Sequence, residues 1–394
     1  MQTHPLCRIE IDLAALRENF KALCAYVEGI LPDVCCIGAK KPRPLCVLKA
    51  NAYGHGALPC ARALAKAGAD FFAVATADEA LALREALPQA AILVLTPIAP
   101  EDAPLLCAAN ITATVGSESD IRACAAAVRR ACARGKLPQG SALACHVKLD
   151  SGMHRLGFLA VRAEEARRTA YAIRALSPLP GVRLCGIYSH PAAADDPRSP
   201  ATGEQLHAVC RIRRLLGPQY FYHFSNSAAA LRLGAMGFDG YRLGIALYGI
   251  PPAERFPALL APRLRAVARV ETRLTRVFTL RAGERLGYGG DFCATHDMRV
   301  GVAAIGYADG LPRAAGGACL TVRGRPAKII GRICMDQCML ALEGTPARAG
   351  DTVTVTEESG RQLLALARRA RTIPYELLCH LSPRAAWHYI GGGG

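Results

Sequence analysis

Lys49 closes a short apolar run, residues 45–48, and is followed by Ala50-Asn51-Ala52-Tyr53 and then by Gly54-His55-Gly56. A run of that kind reads as a buried strand. An amine at its end is costly to bury, and burial changes its chemistry. Desolvation lowers a lysine pKa, and the neutral amine can form a Schiff base or take up a proton. On strand and lysine alone, a side chain that turns outward into solvent is the simpler account. Further polar groups recur where later apolar runs end: Asp150-Ser151, then His190, Ser225-Asn226-Ser227 and Arg242. Each has an ordinary explanation on its own. A lone histidine is often a structural hydrogen bonder, a Ser-Asn-Ser stretch is a helix cap, and an arginine can serve a surface ion pair. Five such clusters in corresponding places are harder to read as coincidence.

The elements that must position them alternate along the chain. Strand-like runs occupy 45–48, 71–75, 92–95, 111–115, 144–149, 184–188, 220–224 and 241–247, with helical periodicity at 61–67, 78–87, 119–134, 163–175 and 203–216. An opening helix is expected over 10–25, with Asp12 as its N-cap, followed by a Pro/Gly/Lys-bearing loop over 29–44. Eight βα units in about 250 residues predict an α/β fold, a closed (β/α)8 barrel whose site lies at the C-terminal ends of its strands. After Pro251-Pro252 the texture changes to short β-rich runs at 267–280, 299–305, 319–322, 327–333, 339–342 and 352–355, with a helix at 361–371. The expected organisation is a barrel over 1–258, a mostly β C-terminal domain over 259–390 and a glycine tail over 391–394. No internal repeat is evident.

Composition narrows the function classes. The 394 residues carry 48 basic and 32 acidic side chains, a formal charge of +16. The arginines are scattered singly or in pairs within helical patterns, so solvated helix faces explain the charge better than a nucleic-acid partner does. The 17 cysteines are an odd number, several of them in apolar strands (Cys46, Cys145, Cys185). They suit a reducing compartment, and no paired spacing suggests a metal site. There is neither a signal-like apolar segment at the start nor a run of the roughly 20 apolar residues a membrane span needs, so a cytoplasmic protein is expected.

Longer strings carry a resemblance to a known family. Besides 47–57 there are Lys148-Leu149-Asp150-Ser151-Gly152-Met153-His154-Arg155, His223-Phe224-Ser225-Asn226-Ser227 and Arg242-Leu243-Gly244-Ile245. Further along come Gly287-Tyr288-Gly289, Gly306-Tyr307-Ala308-Asp309-Gly310, Arg332-Ile333-Cys334-Met335-Asp336 and Ile373-Pro374-Tyr375. In this order they resemble the alanine racemases, enzymes that depend on pyridoxal 5'-phosphate.

The resemblance implies a role for each residue. Lys49 would hold the cofactor and act as one catalytic base, with Tyr288 as the other. Tyr53, Asn226, Ser227, Gly244, Ile245 and Tyr375 would cradle the cofactor phosphate. Arg242 would face the pyridine nitrogen, where a cation disfavours ring protonation and favours racemisation over transamination. His190 would link that arginine to the catalytic tyrosine. Arg155 would stand at the cofactor phenolate and substrate carboxylate, with Met335 and Asp336 also on the substrate side. Lys148 matches a lysine that is carbamylated in many members, its negative charge positioning Arg155. Tyr307 and Tyr375 resemble a narrow opening suited to small side chains.

Two positions depart from the pattern: His154, where glycine is usual, and Pro191, where an aromatic is common. The expected reaction is interconversion of L- and D-alanine, supplying D-alanine to a cell wall. A serine or broad-specificity racemase is the alternative within that class. A non-catalytic pyridoxal phosphate barrel protein would lack the β domain. The resemblance also implies a head-to-tail homodimer in which Tyr288 reaches the barrel of the other subunit.

Overall fold

Eight parallel strands close on themselves: Arg43–Val47, Phe71–Val74, Ala91–Pro97, Thr112–Val115, Leu143–Asp150, Val182–Tyr188, Phe221–His223 and Gly240–Leu243. Neighbours pair in parallel, and the last strand returns to the first through Arg242↔Leu45 and Leu243↔Cys46. The structure, a computed structural model, describes residues 6–30, 41–252 and 264–392. Leu45, Phe72, Leu93, Ala113, Cys145 and Ile187 are fully or almost fully buried. Such near-continuous apolar runs are what a sheet covered on both faces requires.

The outer helices follow the expected ranges to within a few residues, as Ala57–Lys66, Ala77–Ala86, Glu118–Ala133, Ala163–Leu176 and Ala201–Leu216. Their starts are chemically marked. Ser117 accepts from the Asp120 amide at 3.1 Å, and Thr76 with Glu79 forms a reciprocal capping box. Two short helices without a strong periodic signal, Ala103–Ala108 and Ser227–Leu233, join them, and Leu13–Gly29 completes the ring between Ser227–Leu233 and Ala57–Lys66.

The second sheet has eight strands and is antiparallel except at one edge. It contains Ala268–Leu280, Met298–Ala303, Cys319–Val322, Arg325–Ile330, Cys338–Ala341 and Thr352–Thr356. Its remaining two strands come from opposite ends of the chain. Arg8–Asp12 pairs antiparallel with Ala268–Leu280 and parallel with Ala386–Ile390. The opening helix expected over 10–25 therefore begins later, as Leu13–Gly29, and the residues before it form a strand of the β sheet. Asp12 does cap that helix, accepting from the amides of Ala14 and Ala15, both at 2.9 Å. Ile9 and Ile11 alternate with more exposed neighbours, the period of a strand with one buried face.

Much of the loop expected over 29–44, the expected boundary near 258 and the last two residues of the expected glycine tail lie outside the described residues. No helix among the described residues is long and apolar enough to cross a membrane.

Candidate active site

A cavity of about 730 Å³ opens at the C-terminal ends of the barrel strands. Every barrel residue expected to serve the site lines it, from Lys49 to Ile245, and so does Tyr375 from the helix Pro374–Cys379.

At one side the chain leaves the first barrel strand at Lys49 and turns in an unusual way. Ala50, Asn51, Ala52 and Tyr53 all have φ between 52° and 57°, a left-handed turn made of non-glycine residues. L-residues pay about 1–2 kcal/mol each for that conformation, so outside contacts must hold it. Glu79 Oε1 accepts from the Ala50 amide at 2.6 Å, Leu48 O from Ala52 at 2.8 Å, and Asn51 Oδ1 from Ala57 at 2.8 Å. The capping glutamate of one helix thus also pins the start of the turn. Burial, and next the charge of Arg155, hold the Lys49 amine below its ordinary pKa.

The same turn sends Tyr53 inward, where its ring lies 5.1 Å from Tyr248 and 6.0 Å from Tyr375. Its hydroxyl comes so near Gly244 that a Cβ there would stand 2.6 Å from it. The Gly244 amide donates to Ser227 Oγ at 2.8 Å. Hydroxyls and backbone N–H groups therefore converge at the ends of the last two barrel strands. That donor set, beside a lysine with a depressed pKa, fits a phosphorylated aldehyde cofactor.

Arg242 is buried deeper, with both terminal nitrogens of its guanidinium engaged. It donates to the carbonyls of Ser189 at 2.8 Å and Phe224 at 2.7 Å, and to His223 Nδ1 at 2.7 Å; His190 Nδ1 lies 3.3 Å away. Tyr188 stacks on His223 at 4.6 Å, and its hydroxyl is fixed by Leu95 O at 3.0 Å and Thr114 Oγ1 at 2.9 Å. Lys148 Nζ sits 4.5 Å over the Tyr188 ring. Burial, with Arg242 and Arg155 nearby, pushes Lys148 well below its usual pKa.

Arg155 is presented by a loop whose amides at Gly152, Met153 and His154 all donate to Asp150 Oδ1, at 3.0–3.1 Å. His154 has φ +53° there, which explains why glycine suits the position. Histidine is among the few other residues that visit this region, and its ring points outward, 3.7 Å from Asp150 Oδ2. At the other departure, the Pro191 carbonyl lies 3.5 Å from Asn226 Nδ2.

Comparison with known proteins decides the family. The model described as "Alanine racemase, N-terminal domain" matches residues 11–252, and "Alanine racemase, C-terminal domain" matches 267–389. An alanine racemase of Listeria monocytogenes serotype 1/2a is 37% identical over 387 residues, 97% of each chain. That of Geobacillus stearothermophilus is 36% identical over 95% of this chain and 91% of its own. The solved alanine racemase of Streptomyces lavendulae superposes with a TM-score of 0.85 at 31% identity, covering 100% of this chain and 99% of that one.

The chain belongs to the alanine racemase family.

It is accordingly an amino-acid racemase, an isomerase acting on a small amino acid, with the barrel-plus-β architecture of alanine racemases. The remaining residues expected in an alanine racemase site are not near Lys49 within one chain. Tyr288 is 71% exposed, Met335 53% and Tyr307 45%, and none of them, nor Asp336, lines the cavity. They share a surface of the second domain instead. Arg332 binds Asp291, joining the Tyr288 loop to the 331–337 loop. Tyr307 and Ala308 donate to the carbonyls of Cys334 and Met335 at 3.1 and 3.0 Å, and Arg384 bridges Asp309 and Asp336.

Sequence reasoning gave no role to Tyr188, His223 or Glu79. Lys148 and His146 lie two apart on one strand and so on one face, a signal that could have led to the histidines behind Arg242.

Proposed function

We propose that this chain interconverts L- and D-alanine with pyridoxal 5'-phosphate, taking the Cα proton on one face at Lys49 and returning one on the other face from Tyr288. The observation that carries this reading is one cavity that holds a depressed-pKa lysine, a hydroxyl and amide cradle, and a buried arginine. When bound, the cofactor supplies the electron sink that makes the substrate Cα–H acidic.

The protein's own residues do the rest. Tyr53, Ser227, Tyr375 and the backbone at Gly244 and Ile245 hold the phosphate, with Asn226 shaping the turn by accepting from the Ala229 amide at 3.0 Å. Arg242 keeps a permanent cation at the far end. Arg155 meets the substrate carboxylate. Lys148, buried and held well below its usual pKa, is suited to carbamylation, which would place an anion beside Arg155. For the L enantiomer one base removes the Cα proton as the other delivers its own to the opposite face; the D enantiomer reverses the roles. General acid–base help of this sort typically contributes about 10²–10⁴-fold.

His190 supports the shared site. Its Nδ1 faces the donor-only Arg242, and its Nε2 lies 3.4 Å from Asn226 Nδ2, also a donor. A neutral imidazole has one acceptor and one donor, so its N–H lacks an acceptor among the described residues. The phenol oxygen of Tyr288 from a second subunit would supply it, with Met335 and Asp336 arriving on the same surface. The product D-alanine would serve peptidoglycan synthesis in the cytoplasm.

Borohydride treatment of the purified enzyme followed by peptide mapping should find the cofactor fixed on Lys49; a label on Lys148 would overturn the assignment. Chiral chromatography should show L-Ala racemised faster than L-Ser or L-Lys. Faster turnover of L-Lys would replace the alanine reading with a broad-specificity one.

A further inference from the structure

Behind Arg242 lies a second histidine that none of the roles above uses. His146 sits in the strand Leu143–Asp150 with its ring inside the barrel, 4% exposed. It packs near Phe71, Phe221 and Tyr188, and its Nδ1 is 3.1 Å from His223 Nε2. Its partner across the strand pair is Gly186, where a Cβ would come within 2.4 Å of the imidazole. The barrel therefore leaves a glycine-sized gap in the neighbouring strand for this ring.

The hydrogen-bond inventory fixes every proton in this chain of groups. A guanidinium has five donors and no acceptor, so the 2.7 Å contact from Arg242 Nη1 requires an unprotonated Nδ1 on His223. The single proton of neutral His223 is then on Nε2. That N–H points at His146 Nδ1, which must be unprotonated in turn, leaving the His146 proton on its own Nε2. Both rings are Nε2–H tautomers, with His223 donating to His146, away from the arginine. Protonating either ring would set two donors face to face in a dry interior. Burial, together with Arg242, His146 and Lys148 around His223 and with Arg183 near His146, opposes such protonation. His190 differs, because no acceptor among the described residues fixes its second nitrogen.

We propose that His146 is a positioning residue for racemisation: by accepting the Nε2–H of His223 it locks His223 in the tautomer that receives Arg242, and so holds the guanidinium in place. The functional half of this inference rests on the proposed role of Arg242; the tautomeric half does not.

Two measurements test it. In ¹⁵N-histidine NMR of the natural enzyme, His146 and His223 should both be neutral Nε2–H tautomers at neutral pH. A proton on Nδ1 of either ring, or an imidazolium, overturns the proposal. Then compare His146→Gln, whose amide oxygen can accept, with His146→Phe, which fills the space without an acceptor. A buried donor left unsatisfied is expensive. His146→Phe should therefore move or mix the His223 tautomer and lower kcat at least about tenfold with KM for alanine little changed. His146→Gln should keep the tautomer and stay within about threefold of the natural kcat. If His146→Phe leaves both tautomer and kcat unaltered, the ring is only filler and the proposal fails. If His146→Phe does not fold, the natural enzyme's spectrum and the His146→Gln spectrum still decide, since a shifted His223 tautomer in the glutamine variant counts against the lock. Correct tautomers in an enzyme that racemises nothing would instead count against the proposed reaction.

Discussion

His55, His146 and His223 are buried and held neutral, and this makes stability depend on pH. Burial lowers His55 to about 4 and His146 to about 3, and takes His223 well below 6.5. An unfolded chain takes up protons on these rings below about pH 6.5, while the folded one does not until far lower. Their contribution is therefore complete above about 6.5 and lost as pH falls toward the folded values. At pH 5 His55 and His146 each cost the folded state about 2 kcal/mol. Urea unfolding at pH 7.5 and 5.0, at one protein concentration, should show the loss in the natural enzyme. In His146→Gln the same loss should be smaller by about 2 kcal/mol; an unchanged pH dependence would mean that His146 titrates normally. Of the residues involved, Arg242 was legible because it opens a longer matching string, and His190 because it follows the apolar run 184–188. His146 was not, and His223, though it opens a matching string, was given no role, because a polar residue inside a parallel strand looks like a lapse in an apolar run until the partner strand supplies its bond.

The turn after Lys49 belongs to the scale of elements, since it is held from the second domain as well as from the barrel. Gly54 has φ +80°, and a Cβ there would lie 2.0 Å from Leu378 O. At Gly56, φ +93°, a Cβ would lie 2.1 Å from the Tyr389 hydroxyl, on the strand that pairs with Arg8–Asp12. The two glycines thus let the end of the chain press directly on the lysine turn. Gly56→Ala should be destabilising both through its φ and through the overlap with Tyr389, and Tyr389→Ala should relieve only the second. The double variant is then expected to lose at least about 1 kcal/mol less than the sum of the single ones, measured by urea unfolding; additive losses would show that the ring simply swings aside. The barrel strands were readable because burial on both faces writes continuous apolar runs. The eighth was read too long, since 241–247 breaks at Gly244 into the strand Gly240–Leu243 and a 3-10 turn, Ile245–Tyr248. The left-handed turn carries no local signature: Ala50, Asn51, Ala52 and Tyr53 are ordinary residues, forced over by contacts up to hundreds of positions away. Arg8–Asp12 was hidden by the helical period that begins immediately after it.

At the scale of the whole molecule, Lys49 lies inside the barrel cavity while Tyr288 stands exposed on the second domain, with Tyr307 and Met335 exposed beside it. An amino-acid racemase working with one base on one face tends to return the proton where it came from, so a second acid on the opposite face is expected. If that acid is Tyr288, it must come from another copy of the chain. Two copies related by a two-fold axis would each cap the other's barrel, producing two identical composite sites. Subunit mixing tests this arrangement. Lys49→Ala and Tyr288→Phe proteins should each be nearly inactive alone. In a heterodimer both lesions fall in one site and the other site is intact. Random exchange makes half of the dimers hetero, each with one working site of two, so activity should recover to about a quarter of the natural level at equal total protein, by the same symmetry. Exchange can be followed by tagging one partner and isolating the mixed species. If mixed dimers are isolated and remain inactive, Lys49 and Tyr288 serve the same chain, and the exposed surface around Tyr288 has some other task.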